Sequence, residues 1–154
     1  MRKYGRWIVL AVAIFGCLYI WHFSLADGER SALTSGRVLE LINGALARLG
    51  SEFQFSHHTV RKIGHFVGYF LLGALVAFTL WMFEFTHYPL IAVPLCMTVA
   101  VVDEGIQYFS PGRVAALTDV LLDSAGAVCG ILAFFATVMA LISIFGRNTK
   151  KIRK

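Results

Sequence analysis

Four long apolar runs, separated by short polar stretches, dominate the pattern of the chain. They cover about residues 7–25, 63–85, 89–109 and 117–145. At a rise of about 1.5 Å per residue, a helix of about 20 residues crosses the hydrocarbon core of a bilayer. The third run is continuously apolar only over residues 89–102, so its polar continuation is expected at the edge of the membrane. The pattern predicts an all-α, polytopic membrane protein, with residues 1–154 forming a single four-helix bundle.

A cleavable signal peptide is the alternative interpretation of the first run. Ser24-Leu25-Ala26 resembles a small-x-small cleavage site. The run is long for the core of a signal peptide, however, and it carries Trp21 and His22 near its end. We therefore expect it to be retained as a membrane span.

The segment 26–61, between the first two runs, has a different pattern. From Val38 to Leu49, apolar residues recur at helical spacing and polar residues take the opposite face. This pattern predicts an amphipathic helix at the membrane interface. Asn43-Gly44 weakens the prediction in the middle of the helix. A helix that packs against the end of the bundle fits the same pattern.

Composition and charge then narrow the class of protein. The chain is 58% hydrophobic and 15% charged, whereas soluble domains carry about a quarter charged residues, so soluble and disordered chains are excluded. Of the fourteen basic residues behind the net charge of +5, eight lie in the first six and last eight residues, without an acid among them. Four spans put both tails on one side, and this excess of Lys and Arg predicts that the side is cytoplasmic. The segment 26–61 is then extracytoplasmic. The basic charge reflects topology, and we expect no nucleic-acid partner.

Polar residues gather near one end of the second, third and fourth spans. Lys62, His65 and Tyr69 open the second span; Asp103, Glu104 and Gln107 end the third, with Arg113 just beyond; Asp119 and Asp123 open the fourth. Charge at membrane depth is expensive and normally faces a bundle interior or a wet cavity. The sequence therefore predicts that these residues share one polar site.

Four of these residues are candidate catalytic groups: Glu104, Asp103, His65 and Asp123. Two cations beside four carboxylates can neutralise part of the negative charge and leave one carboxylate with a raised pKa. Such a carboxylate suits acid or base catalysis. The same carboxylates with His65 could bind a divalent metal, but their spacing is not diagnostic of one. We expect no metal and no other cofactor.

The remaining five are candidate substrate-binding groups: Lys62, Arg113, Tyr69, Gln107 and Asp119. The two cations suit a lipid phosphate or an acidic headgroup. A structural role is the alternative, in which Lys62 and Arg113 form ion pairs and Asp119 caps the fourth span.

Two pairs of glycines predict how the spans pack. Gly64-x-x-x-Gly68 lies in the second span and Gly126-x-x-x-Gly130 in the fourth. Small residues at this spacing allow close helix contact. Contact between these two helices would hold Asp123 near Tyr69 and His65.

At these residues the sequence resembles the VanZ-like family of small bacterial membrane proteins. The matching blocks are Arg61-Lys62-Ile63-Gly64-His65-Phe66 followed by Tyr69, Asp103-Glu104-x-x-Gln107 leading to Pro111-Gly112-Arg113, and Asp119-Val120-Leu121-Leu122-Asp123 followed by Gly126 and Gly130. The resemblance covers about residues 58–130. Position 123 is often Asn in the family and is Asp here, which weakens any mechanism that needs a charged base at this position. The resemblance implies a protein of the bacterial cytoplasmic membrane, in a group named for resistance to teicoplanin, a lipid-tailed glycopeptide.

Three kinds of function remain open. The first is an enzyme that modifies a membrane lipid or a lipid-linked component of the cell envelope. The second is a non-catalytic protein that binds an anionic lipid headgroup or a lipidated antibiotic. The third is a small transporter, which is disfavoured because transporter sites lie near the midplane of the membrane.

Overall fold

The computed structural model describes the backbone of residues 2–25, 28–113 and 115–152, and the side chains of residues 4–25, 32–113 and 115–144. This part of the chain is all-α, with five helices: α1 (Arg2–Ser24), α2 (Gly28–Arg48), α3 (His57–Met82), α4 (Tyr88–Phe109) and α5 (Leu117–Ile152). Four of them contain stretches long and apolar enough to cross a membrane: Tyr4–Ser24, His57–Met82, Tyr88–Phe109 and Leu117–Ile144. The predicted fold class, four spanning helices with one additional amphipathic helix, is confirmed.

The second spanning helix begins earlier than its hydropathy suggests. The hydroxyl of Ser56 accepts a hydrogen bond of 3.2 Å from the backbone N–H of Thr59, so Ser56 caps α3. The first turn of α3 is polar, and for that reason the apolar pattern starts only at residue 63. Lys62 and His65 therefore lie inside the helix and are held by its geometry.

The amphipathic helix α2 is joined to the segment that precedes α3. The side chain of Asn43 donates to the carbonyl of Phe55 at 3.2 Å and accepts from its N–H at 2.9 Å. These two hydrogen bonds give a structural reason for Asn43 in the middle of the helix. Leu41 in α2 and Leu49 just beyond its end are 74% and 83% exposed, so the rest of the described chain leaves this part of the apolar face uncovered. This exposure favours contact with a membrane interface over packing on the bundle.

Contacts at both ends of α1 define the directions of the helices. Near the start of α1, the Arg6 guanidinium lies 5.3 Å from the centre of the Phe83 ring, just beyond α3. Near its end, the Trp21 Nε1–H donates to the carbonyl of Val99 in α4 at 3.3 Å. Just beyond α4, the Ser110 hydroxyl donates to the carbonyl of Ser24 at 3.0 Å, and Lys62 of α3 pairs with Asp119 of α5. The C-terminal ends of α1 and α4 and the N-terminal ends of α3 and α5 therefore meet at the same end of the bundle.

Glycines bring α3 and α5 into backbone contact. A Cβ atom at Gly126, Gly130 or Gly73 would collide with main-chain atoms of the other helix. The predicted close contact through Gly126 and Gly130 is confirmed. The prediction for Gly64 and Gly68 is wrong, because a Cβ atom at either position meets nothing within 4 Å. In α3 the glycine in backbone contact with α5 is Gly73, about one and a half turns after Gly68.

The buried stripe of α4 changes from apolar to polar along its length. It comprises Tyr88, Ala92, Cys96, Ala100, Asp103, Glu104 and Gln107. Because these positions recur at helical spacing, the polar side chains face the same core as the small apolar ones. The bundle core is therefore apolar over most of α4 and acidic at the end where α3 and α5 begin.

Candidate functional site

Two carboxylates and one histidine form the centre of the polar site. Asp103 on α4 is 0% exposed and Asp123 on α5 is 1% exposed. The Nδ1 atom of His65 on α3 lies 3.4 Å from Oδ2 of Asp123. One ligand-type atom from each of the three residues can be chosen so that all lie within 4.8 Å of one another. Three helices thus contribute one polar side chain each to a single point.

Hydrogen bonds orient one of these carboxylates. The side-chain amide of Gln107, one turn further along α4, donates to Oδ2 of Asp103 at 3.0 Å. The same amide lies 3.5 Å from the hydroxyl of Ser24 at the end of α1. Ser24 is 2% exposed, so α1 closes the site on this side. Tyr69, which is 1% exposed, lies one turn beyond His65 on α3.

Lys62 and Asp119 form a separate ion pair beside the centre. The Nζ atom of Lys62 lies 3.5 Å from Oδ1 of Asp119, and the two side chains are 36% and 17% exposed. Exposed pairs of this kind contribute roughly 0–1 kcal/mol to stability. The pair links the second turn of α3 to the first turn of α5 and leaves Lys62 directed at a carboxylate.

Glu104 contacts the backbone at the start of α5. Its Oε1 atom accepts a hydrogen bond from the N–H of Ala116, which directly precedes the helix. The first N–H groups of a helix lack partners within it, and a carboxylate is a favourable acceptor at this end. Glu104 therefore fixes the loop between α4 and α5, next to the centre formed by Asp103, Asp123 and His65.

A groove of about 660 Å³ opens beside His65, between α1, α2 and α3. Its lining includes five basic or imidazole side chains: His22, Arg37, Arg61, His65 and Arg113. Among the side chains that the structure describes, the lining contains no carboxylate. Apolar residues such as Ile20, Leu33 and Val38 form the remaining wall. We call this feature the arginine groove.

Gly64 and Gly68 also line the arginine groove. Since a Cβ atom at either position meets nothing within 4 Å, the missing side chains leave space there. These two glycines therefore widen the groove. This explains why they do not pack α3 against α5.

Arg113 and Arg61 place positive charge close together at the groove. The Nη1 atom of Arg113 lies 3.5 Å from the carbonyl oxygens of Phe23 and Ser24, at the end of α1. Burial and, next, the charge of Arg61 lower the pKa of Arg113 from its ordinary value. The guanidinium nevertheless remains charged, because its pKa starts above 12. The two positive charges repel each other, and an anion bound between Arg61 and Arg113 would relieve this repulsion.

The structure brings together the nine residues predicted for the site, but in three different settings. Asp103, His65 and Asp123 meet at the centre, with Tyr69 and Gln107 against them. Glu104 and the Lys62–Asp119 pair bind the helix ends. Arg113 faces the groove.

Sequence reasoning missed Arg37 and Arg61 as groove residues. In the sequence, Arg37 directly precedes the amphipathic stretch of α2, and Arg61 precedes the apolar run of α3. The charge itself was the available signal, but the sequence does not show which face of α2 approaches α3.

A family model supplies the relationship to known proteins. The model described as VanZ/LLP1 matches residues 7–142, which is most of the chain. The chain belongs to the VanZ/LLP1 family. Searches of curated proteins and of solved structures found no match. The match to VanZ/LLP1 runs from α1 into α5, so the acidic centre and the arginine groove both lie within the family region.

Proposed function

We propose that this VanZ/LLP1 family member binds the phosphate-bearing headgroup of a membrane lipid, or of a lipid-linked envelope component, in the arginine groove. We further propose that the headgroup is modified at the His65 end of the groove. The observation that supports the proposal is the lining itself: three arginines, no described carboxylate and an adjoining apolar wall.

The arginines suit the phosphate group of a lipid headgroup. A guanidinium presents its N–H groups as a planar fork that matches phosphate oxygens, and basic pockets between spanning helices bind anionic lipids. Neither Arg37 nor Arg61 forms an ion pair with a described side chain. Both are therefore available to an anionic ligand.

The apolar wall suits the part of a lipid next to its headgroup. Ile20, Leu33 and Val38 lie in the same lining as the arginines. A lipid could therefore place its phosphate at the arginines and the first part of its chain against these residues. A water-soluble anion would not use the apolar wall.

His65 joins the groove to the acidic centre. It lines the groove and its side chain is 24% exposed, whereas Asp103 and Asp123 lie buried behind it. A histidine backed by carboxylates can transfer a proton or hold a cation, and both kinds of chemistry act on phosphate esters. We assign His65, Asp103 and Asp123 to the reactive end of the site and Arg37, Arg61 and Arg113 to headgroup binding.

The distribution of Lys and Arg supports a location in the cytoplasmic membrane with both termini inside the cell. The two terminal tails carry eight basic residues and no acid. With this orientation, the groove opens at the outer leaflet. A lipid-linked wall component in that leaflet would connect the proposed function to glycopeptide susceptibility.

Lipid binding can be tested on protein extracted in polymer-bounded native nanodiscs. We expect the wild type to retain a phosphate-bearing lipid in mass spectrometry of the extracted lipids. Gly68→Leu, which fills the groove, and Arg61→Gln, which removes a guanidinium, should both lose it. Gly105→Leu is the matched control, since position 105 is also open but is absent from the groove lining. Equal lipid retention in all four proteins would refute the binding proposal.

Catalysis requires a second comparison, between the lipids of deletion, wild-type and His65→Gln cells. A lipid species that appears only with the wild type supports an enzyme. If His65→Gln retains bound lipid, the cellular lipids are unchanged and the deletion phenotype is rescued, the protein is a non-catalytic binder.

A further inference from the structure

We infer that Asp103, Asp123 and His65 form a binding site for one divalent metal ion. This inference depends on the acidic centre alone and does not rest on the proposed lipid binding. Atoms bound to one ion at about 2.0–2.2 Å lie about 3–4 Å from each other. The three residues already offer ligand atoms within 4.8 Å of one another, so a small adjustment of side chains completes the geometry.

Unpartnered oxygen atoms give independent support for a ligand. Oδ1 of Asp103, Oδ1 of Asp123 and the hydroxyl of Tyr69 have no hydrogen-bond partner within the described chain, and Oδ2 of Asp123 has the imidazole of His65 3.4 Å away. Asp103, Asp123 and Tyr69 are at most 1% exposed. A buried carboxylate is costly unless it is paired or coordinates a metal. An ion bound between the two carboxylates and His65 would give these oxygens a partner.

The charges around the centre also favour a dication. Two carboxylates carry two negative charges, and the side chain in direct contact with Asp123 is His65, whose imidazole binds a metal in its neutral form. Lys62 is paired with Asp119, and the Arg113 guanidinium is directed at carbonyl groups of α1. A divalent ion would neutralise the two carboxylates without needing any of these cations.

Gln107 already orients one of the proposed ligands. Its amide donates to Oδ2 of Asp103 and leaves Oδ1 of the same carboxylate unpartnered. Hydrogen bonds of this kind hold metal-ligating carboxylates in position. Because His65 also lines the arginine groove, an open coordination position on that side could accept a phosphate oxygen.

The donor set indicates the kind of metal. Carboxylate oxygens suit Mg²⁺ and Mn²⁺, and imidazole nitrogen suits Zn²⁺ and other transition metals. Mn²⁺ accepts both donor types and can be followed by electron paramagnetic resonance, so we choose it as the probe.

The experiment uses the full-length protein in detergent, stripped with a chelator and titrated with Mn²⁺. We expect the wild type to bind about one ion per chain, with the spectrum of a protein-bound ion. Asp123→Asn and Asp103→Asn should each weaken binding by at least about tenfold, because even loss of a residue that supports a ligand has that effect. Asp119→Asn is the matched control: it removes a carboxylate one turn from Asp123 that is already paired with Lys62.

Thermal unfolding separates loss of the ion from loss of the fold. Mn²⁺ should raise the melting temperature of the wild type and of Asp119→Asn, and should leave that of Asp123→Asn unchanged. If Asp123→Asn does not fold, His65→Gln should show the same loss of binding. The inference is refuted if the folded wild type binds no Mn²⁺, or if the aspartate and histidine variants bind it as tightly as the wild type. Lipid retention is measured separately, so either proposal can fail alone.

Discussion

Gly126 offers the sharpest test of how the site is assembled. An alanine Cβ at this position would lie 2.5 Å from the carbonyl oxygen of Phe66, whereas an ordinary contact is at least 3.4 Å. The helices α3 and α5 would have to separate by about 1 Å, and the atom in conflict belongs to the backbone, which cannot turn aside. Overpacking of this kind costs about 1–3 kcal/mol. We therefore expect the free energy of unfolding of Gly126→Ala to be about 1–3 kcal/mol below that of Gly105→Ala, which has the same gain in helix propensity. Reversible unfolding in mixed micelles measures the difference.

Gly105→Ala is the control for the substitution itself. A Cβ at position 105 meets nothing within 4 Å, and alanine is favoured over glycine in a helix by about 1 kcal/mol. This variant should be at least as stable as the wild type. Equal stability of Gly126→Ala and Gly105→Ala would show that α3 and α5 are not in backbone contact, and would refute the packing described above.

Two further predictions concern the α4–α5 loop and the orientation of the chain. Glu104→Ala should lower the free energy of unfolding by about 1.5–3 kcal/mol, because the N–H of Ala116 loses a charged acceptor, while Glu104→Gln retains an acceptor oxygen and should lose less. If chemical unfolding shows the same loss of stability for Glu104→Ala and Glu104→Gln, the hydrogen bond to Ala116 is not the cause of the loss. In intact cells, an impermeant thiol reagent should label Ser51→Cys and spare Asn148→Cys, with Cys17, Cys96 and Cys129 replaced in both proteins. The opposite labelling would place the arginine groove at the inner leaflet.

Much of the fold follows from hydropathy, because a spanning helix must be apolar over a length set by the bilayer. The four spans and the amphipathic helix were predicted on this basis. The start of α3 was not, since its first turn is polar and its boundary depends on the cap at Ser56. The glycine contacts were only half predicted. Gly64 and Gly73 are equally small, and only the position of the neighbouring helix decides which of them is in backbone contact.

The site divides in the same way. Asp103 and Asp123 could be recognised from the sequence because a carboxylate within an apolar helix is conspicuous. The arginine groove could not be recognised from the sequence, because Arg37 and Arg113 are far apart in the chain. They line the same groove only because α1, α2 and α3 converge. The structural position of Glu104 was also hidden, since its partner is a backbone N–H.

The uncovered apolar face of α2 has a consequence for how the groove should be studied. Residues of α2 form one wall of the groove, yet Leu41 on this helix and Leu49 just beyond its end remain exposed. We therefore expect the bilayer to contact one side of the proposed binding site. Lipid thickness, lateral pressure and detergent type become variables of affinity in the same sense as pH or salt. Binding constants for this protein are therefore properties of the protein together with its membrane.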